Sequence, residues 1–509
     1  MAVDCQREPN WSFPATEGAA ISGAAGAALA LAAIVLIDGD SAWMRVINGS
    51  LPILVGAACL WSSYRMVRSR PVRLWTPFPW FLAAWAVYYG FGPLVYVYGT
   101  PESVAYMDHL FPVDEKALLR TNVLNWVGLL AVIKGAMLMA KVGIHRFGAH
   151  AIPCPQDARR VAVLFLAIGL PVKYLLELPY ALRLTDYVLP GSIQYLGTFS
   201  GLAILPLSVA ASERHRWAKI VLWSLVLAEI GVGLVMLAKL QVIKTMLLVL
   251  LGRFAVRPNF KALLATGLSV VVAYLIVLSP FVNFARVMLG RASARNVAEA
   301  IEAAQVYGAE GRETLAHILP GVQAWWTRLA YPNSQAFAIT QYDGGKPGWT
   351  FAMAAYVFVP RFLYEDKPIM TPGTEYTVLI KGTDTSSTGL GIIGEAYWNG
   401  GWPLVLATGF FVAALFSWLG GMSSRAVISR RWLYTPLIYQ TIFLALRPDD
   451  WFVPAYLGGV LQILIVVALL SLLAGPLVTR RSTGMPSQLT QRKTSPASLL
   501  KPATPRPAR

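Results

Sequence analysis

The chain has 509 residues, of which 56% are hydrophobic and only 14% charged, with a mean hydropathy of +0.54. A soluble domain carries about a quarter charged residues, so this balance argues against a water-soluble globular protein and makes lipid the main solvent. The formal net charge of +17 admits nucleic acid or an anionic membrane as partner, and the placement of the basic residues decides between them.

The N-terminal segment 1–17 holds Asp4 and Glu8 and no basic cluster, unlike a cleaved signal peptide. A helix needs about 20 apolar residues to cross a bilayer, and helices satisfy their own backbone there. Twelve stretches qualify, near 18–37, 47–64, 78–97, 121–140, 161–180, 191–211, 219–238, 241–256, 262–281, 403–421, 433–447 and 454–476. The eighth and eleventh are short. The fold class expected is all-α polytopic, with spans 1–9 over 18–281 and spans 10–12 over 403–476.

Short loops orient the chain through their Lys and Arg. One set of five loops holds seventeen: Arg65, Arg68, Arg70 and Arg73; Lys141, Arg146, Arg159 and Arg160; Arg214, Arg216 and Lys219; Arg253, Arg257 and Lys261; Arg425, Arg430 and Arg431. The alternating set holds seven: Arg45, Lys116, Arg120, Arg183, Lys239, Lys244 and Arg447. The first set is expected in the cytoplasm, and both termini with it. The tail 477–509, rich in Pro, Ser, Thr and basic residues, reads as a disordered cytoplasmic segment beside anionic lipid. The positive charge is thus mostly topological, and nucleic acid is not expected as a partner. On this topology Cys5 and Cys154 are cytoplasmic and Cys59 lies in a span, so neither a disulfide nor a metal site is expected.

Charge inside spans is costly. Lys173 and Glu177 stand four apart and are expected to pair, while Lys134 and Glu229 could line a polar cavity.

Residues 282–402 form the one large outer loop, with nine basic and ten acidic residues. A loop this long between spans is usually functional; the plain alternative is a passive ectodomain resting on helix ends. Its first part has the composition of surface helices. An aromatic stretch with Trp325, Trp326, Tyr331, Trp349 and Tyr356 follows, and then the apolar run WTFAMAAYVFV, too short to cross and expected to be interfacial or re-entrant.

Two stretches carry a resemblance: VPRFLYEDKP at 359–368 with TPG at 371–373, and GLGIIGEAYWNGGWPLVLATGFFVAALF at 389–416. Together they resemble the oligosaccharide repeat unit polymerases of the O-antigen polymerase superfamily. There Pro-Arg followed by Lys-Pro sits in the large periplasmic loop, and a Gly-Glu-x-Tyr-x-Asn/Phe-Gly segment leads into the next span. Gly394, Glu395, Tyr397 and Asn399 match, while Gly400 replaces the more usual Phe. The resemblance implies a fold of the membrane glycosyltransferase (GT-C) type in the bacterial inner membrane. It implies polymerisation of undecaprenyl-diphosphate-linked repeats at the periplasmic face, for O-antigen or exopolysaccharide, without metal or other cofactor. The lipid-linked glycan, the bilayer and a chain-length regulator are the partners expected.

The residues make chemical sense of that activity. A departing diphosphate needs fixed positive donors, and guanidinium supplies a permanently charged fork. Arg286, Arg328 and Arg361 are placed to do this near the headgroup plane, although an interfacial arginine can also simply anchor a helix. Lys367, Lys239 and Lys244 could assist. The acceptor hydroxyl needs a base, and Glu395, among apolar neighbours, is the candidate; its bland alternative is a carboxylate at a helix N-terminus. Tyr397, Asn399, Trp325, Arg447 and Asp449 are candidate substrate contacts, with Trp326, Trp398, Trp402 and Asp450 beside them.

Three other readings compete. Asp38-Gly39-Asp40 in the first outer loop could bind a divalent ion for a metal-dependent glycosyltransferase. An O-antigen ligase shares the chemistry but relies on a loop histidine, and His317 matches no such pattern. Twelve spans also suit a transporter or flippase, against which stands the absence of a halfway repeat.

Overall fold

The computed structural model describes residues 13–146, 155–182, 184–185, 190–213, 215–289, 296–309, 321–359, 364, 366–367, 371–383, 387–449 and 452–479. Secondary structure among them is helical, apart from one isolated antiparallel bridge between Gln156 and Thr479. Twelve helices stand at the expected spans: α1 Ala15–Asp38, α2 Ser41–Ser69, α3 Pro77–Tyr98, α4 Glu115–Val142, α5 Ala158–Ala181, α6 Ile193–Ser212, α7 Arg216–Val235, α8 Lys239–Val256, α9 Phe260–Arg286, α10 Gly391–Ile428, α11 Trp432–Leu446 and α12 Val453–Leu473. Among the described residues ten of these, all but α8 and α11, are long and apolar enough to cross a membrane. The expected count of twelve is corrected to that extent. α8 carries Lys239, Lys244 and Arg253 within its 18 residues, and α11 is short.

The chain marks its own boundaries. α1 stops at Gly39, where φ of 76° suits glycine, and Asp40 caps α2 by accepting the Ala42 N–H at 2.8 Å. Asp38-Gly39-Asp40 therefore has a structural use as a helix boundary. Asp114 caps α4 by accepting the Ala117 N–H at 2.7 Å.

Packing follows the membrane rule that small residues let backbones approach. α2 and α3 cross at Gly56 and Gly90, where a Cβ on Gly90 would lie 2.9 Å from the Gly56 Cα. α4 packs along α10, with Gly135 under Ala413 and Phe410. Two cores result. One joins α1–α4 with α10, α11 and α12. The other joins α5–α8 with the C-terminal end of α10 and with α11. α9 stands apart, with 6% of its apolar window buried.

α5 is not regular. After Pro171 it widens into a π-helical turn over Pro171–Glu177 that carries both Lys173 and Glu177. Lys173 pairs instead with Glu229 of α7, Nζ to Oε2 at 2.5 Å, with both side chains buried. The expected Lys173–Glu177 pair is thus replaced by a bridge between helices. Lys134 of α4 belongs to the other half-bundle and is exposed.

The large loop is fastened to the bundle by polar bonds. In its helix Pro332–Asp343, Gln335 exchanges two amide hydrogen bonds with Asn125 of α4, at 2.9 and 3.1 Å. The Trp326 Nε1 donates to the Phe91 carbonyl at 3.0 Å, and Asn333 Nδ2 to the Met107 carbonyl at 3.2 Å. The apolar run 350–359 folds as short turns of helix against α12. Trp326, Asn333, Gln335 and their partners Asn125 and Met107 are buried, so this part of the loop belongs to the bundle rather than resting on it.

Candidate functional site

The hairpin between α7 and α8 turns in three residues. Leu237 sits in the left-handed region at φ 50° and is fully buried, a conformation that a leucine adopts only when its surroundings hold it. Ala238 N–H closes the turn onto the Gly233 carbonyl at 2.7 Å. The C-terminal end of α9 holds the turn from the side. Arg286 Nη2 donates to the Leu237 carbonyl at 2.9 Å, and Lys239 Nζ donates to Asn283 Oδ1 at 2.7 Å and Ser279 Oγ at 3.1 Å. Leu237, Leu278, Val282, Ala285 and Ala303 pack beneath these bonds.

This corner gathers positive charge from distant parts of the sequence. The charges of Arg286 and Arg328 both act on Lys239, and that of Arg328 acts on Arg286 and Lys381. Arg328 is exposed, and among the described residues none of the four cations has a carboxylate in ion-pair contact. The Arg286 Nε is buried and has no hydrogen-bond partner. Lys381 ends the helix Pro372–Lys381, before Gly382 at φ 70°. Its own burial first, and then the Arg328 guanidinium, hold its ammonium below the usual lysine value. Like charges gathered in this way favour an anion among them. Arg286, Arg328 and Lys239 are thus brought together; Arg361 lies outside the described residues. Lys367 is placed elsewhere in the loop, where its Nζ donates to the Val359 carbonyl at 2.8 Å.

Trp325 stands three residues before Arg328. Its ring stacks on Trp326 at 5.7 Å and on Phe91 at 6.1 Å, while 44% of the residue stays exposed. An open indole face beside a cationic corner suits a sugar ring.

The Gly-Glu-x-Tyr-x-Asn segment has a different setting. Glu395 is fully buried, and its Oε2 accepts the N–H of Val453, the first residue of α12, at 2.7 Å. Its carboxylate thereby meets the positive end of that helix, with the Thr350 hydroxyl beside it. Asn399 Nδ2 donates to Thr350 Oγ1 at 2.9 Å, and its Oδ1 accepts the Phe351 N–H at 3.1 Å. Tyr397 donates to Asp343 Oδ1 at 2.9 Å, and Arg120 holds the other oxygen of that carboxylate. Trp402 meets the Tyr397 ring edge-on at 5.1 Å. α10 bends here, with Gly401 at φ 62° and ψ −155°; a Cβ on Gly401 would lie 2.7 Å from the Tyr342 hydroxyl. The segment joins loop, α10 and α12 at one kink.

Arg447 and Asp449 form the turn into α12. Arg447 Nε lies 3.9 Å from Asp449 Oδ1, and its guanidinium lies 6.0 Å from the Phe443 ring. Asp449 is buried and its Oδ2 accepts from the Tyr331 hydroxyl at 2.7 Å. Lys244, one and a half turns along α8 from Lys239, lies 4.6 Å from the centre of the Tyr439 ring. Sequence reasoning missed Lys381 and Tyr331. Nothing local distinguishes a lysine in a last helical turn, where it also suits the helix dipole.

Comparison with protein-family models, with curated proteins and with solved structures finds no match to this chain, so the reading below rests on its own residues.

Proposed function

We propose that the protein is a glycosyltransferase of the bacterial inner membrane, of GT-C type, that joins undecaprenyl-diphosphate-linked oligosaccharide repeats at the periplasmic face without a metal. The observation that carries this reading is the corner of Lys239, Arg286, Arg328 and Lys381, four cations with no ion-paired carboxylate among the described residues. A diphosphate leaving group develops charge that such donors stabilise. The open face of Trp325 beside Arg328 gives the adjoining sugar a surface to rest on.

The topology agrees with an outer site. α8 turns back along α7 after three residues, and its 18 residues rise about 27 Å, close to the thickness of the hydrocarbon core. With α8 returning inward, the basic loops fall on one side and the large loop on the other, both termini being cytoplasmic.

The test offers purified protein a lipid-linked repeat in detergent with chelator present. Longer lipid-linked chains are expected, and far fewer from Arg328→Ala. Product only with added metal would replace this reading by the metal-dependent one. No product, but transfer of the intact substrate across a reconstituted bilayer, would replace it by a flippase.

A further inference from the structure

The π-helical turn in α5 ends on a carboxylate that, among the described residues, has no ion pair within contact distance and no hydrogen bond. Glu229 of α7 is saturated: Lys173 Nζ donates at 2.5 Å and Gln241 Nε2 at 2.8 Å to its Oε2, and Ser200 Oγ at 2.8 Å to its Oε1. Glu177, the last residue of the π-turn, feels the charges of Lys173, Glu229 and Lys244 but makes no hydrogen bond to them. It forms no ion pair or hydrogen bond among the described residues and lies against α6, where a Cβ on Gly197 would stand 2.2 Å from its Oε2. Four residues on, a Cβ on Gly201 would stand 3.8 Å from Lys244 Cε and 3.7 Å from Glu229 Oε2. Two glycines one turn apart on α6 thus make a floor beneath Glu177 and Lys244; Lys244 Nζ lies over the Tyr439 ring at 4.6 Å, and its charge and that of Lys173 both reach Glu177. Both residues are only partly buried.

Position links this nest to the cationic corner. Lys244 stands five residues along α8 from Lys239, about 7.5 Å down the helix axis. An ionisable side chain at such depth is retained for function more often than for stability. Glu395, by contrast, is sealed with its Oε2 on the Val453 amide, and in this conformation no sugar reaches it.

We propose that Glu177 is the base of the transfer, taking the proton of the acceptor hydroxyl while Lys244 holds the sugar beside it. This rests on the glycosyltransferase reading above. The acceptor oxygen forms its bond to the anomeric carbon of the donor, and the bond from that carbon to the phosphate oxygen breaks. The lipid diphosphate leaves with the electron pair towards the cationic corner, and the acceptor proton passes to the Glu177 carboxylate and then to water.

The experiment measures chain extension and substrate binding for wild type, E177Q and E177D in detergent, with lipid-linked repeat as probe. A positioned base contributes about 10²–10⁴-fold, so E177Q should lose at least 100-fold in kcat with KM nearly unchanged. E177Q extending chains at the wild-type rate would overturn the assignment of the base and leave the glycosyltransferase reading standing. Absence of extension by the wild type would sink that reading first. Should E177Q not fold, E177D carries the test: drawing the carboxylate back by one methylene should slow turnover at least tenfold, and full turnover would overturn the proposal.

Discussion

Replacing Glu229 by Gln isolates the charge at the centre of the α5–α7 contact. With its oxygen at the Oε2 position the amide still accepts from Gln241, and its NH2 can donate to Ser200 Oγ, whose hydroxyl already has the Gly197 carbonyl as an acceptor, so the change chiefly removes the counter-charge of Lys173. The Lys173 side chain is 10% exposed and that of Glu229 2%. Breaking one partner of such a pair costs about 3–5 kcal/mol, chiefly because the remaining charge is buried alone. Replacing both, as in Lys173→Met with Glu229→Gln, removes that charge and should restore most of the loss. Unfolding followed by tryptophan fluorescence in detergent should therefore rank the double variant above either single one, with a coupling of at least about 2 kcal/mol. Distant, independent sites add to within about 0.5 kcal/mol. Additivity at that level between Lys173 and Glu229 would refute the pairing across helices, and with it the account of the π-turn.

Arg328→Ala should lower kcat/KM for chain extension by 10²–10³-fold, about the effect of losing one charge-stabilising donor; Arg328→Lys should recover part of this, since a point charge replaces a fork. Arg286→Ala should weaken activity and also free the Leu237 carbonyl, which it binds at 2.9 Å; proteolysis at the α7–α8 hairpin should become faster, whereas Arg328→Ala should leave it unchanged. Gly401→Ala should destabilise the fold by more than 1 kcal/mol, read as a lower Tm, because it combines φ of 62° with a clash against Tyr342. Lys381 has a folded pKa below its ordinary 10.5, so the unfolded chain binds the proton more tightly and stability rises with pH between the two values. An anion in the corner restores the charge, so pyrophosphate binding in that window should take up a proton. Calorimetry in buffers of different ionisation enthalpy reads the uptake, and Lys381→Met should reduce it.

The bundle was legible because hydropathy integrates over whole helices. Twelve apolar stretches became twelve helices, eleven of them within about six residues of the expected bounds and α10 starting twelve residues early, and the two short ones proved to be those that fail a strict length or charge criterion. What could not be read was anything decided between helices. Lys173 and Glu177 are four apart, which in a regular helix is a pairing distance; Pro171 hints at irregularity, but no local signal distinguishes a kink from a π-turn that turns the lysine toward α7. Three of the expected cations converge at one corner while Lys381 joins them unannounced, since convergence is a property of the fold and not of any motif. The Gly-Glu-x-Tyr-x-Asn segment shows the opposite limit. Every polar side chain in it is engaged in tying the loop and α12 to a kinked α10, so a motif picked out for its chemistry also has a mechanical use. Glycines at 400 and 401 allow that bend, and a Phe at 400 would have to fit where a Cβ already meets Leu404 at 2.9 Å. Glycine at 400 therefore suits the tight packing at this bend, where a larger side chain would displace Leu404.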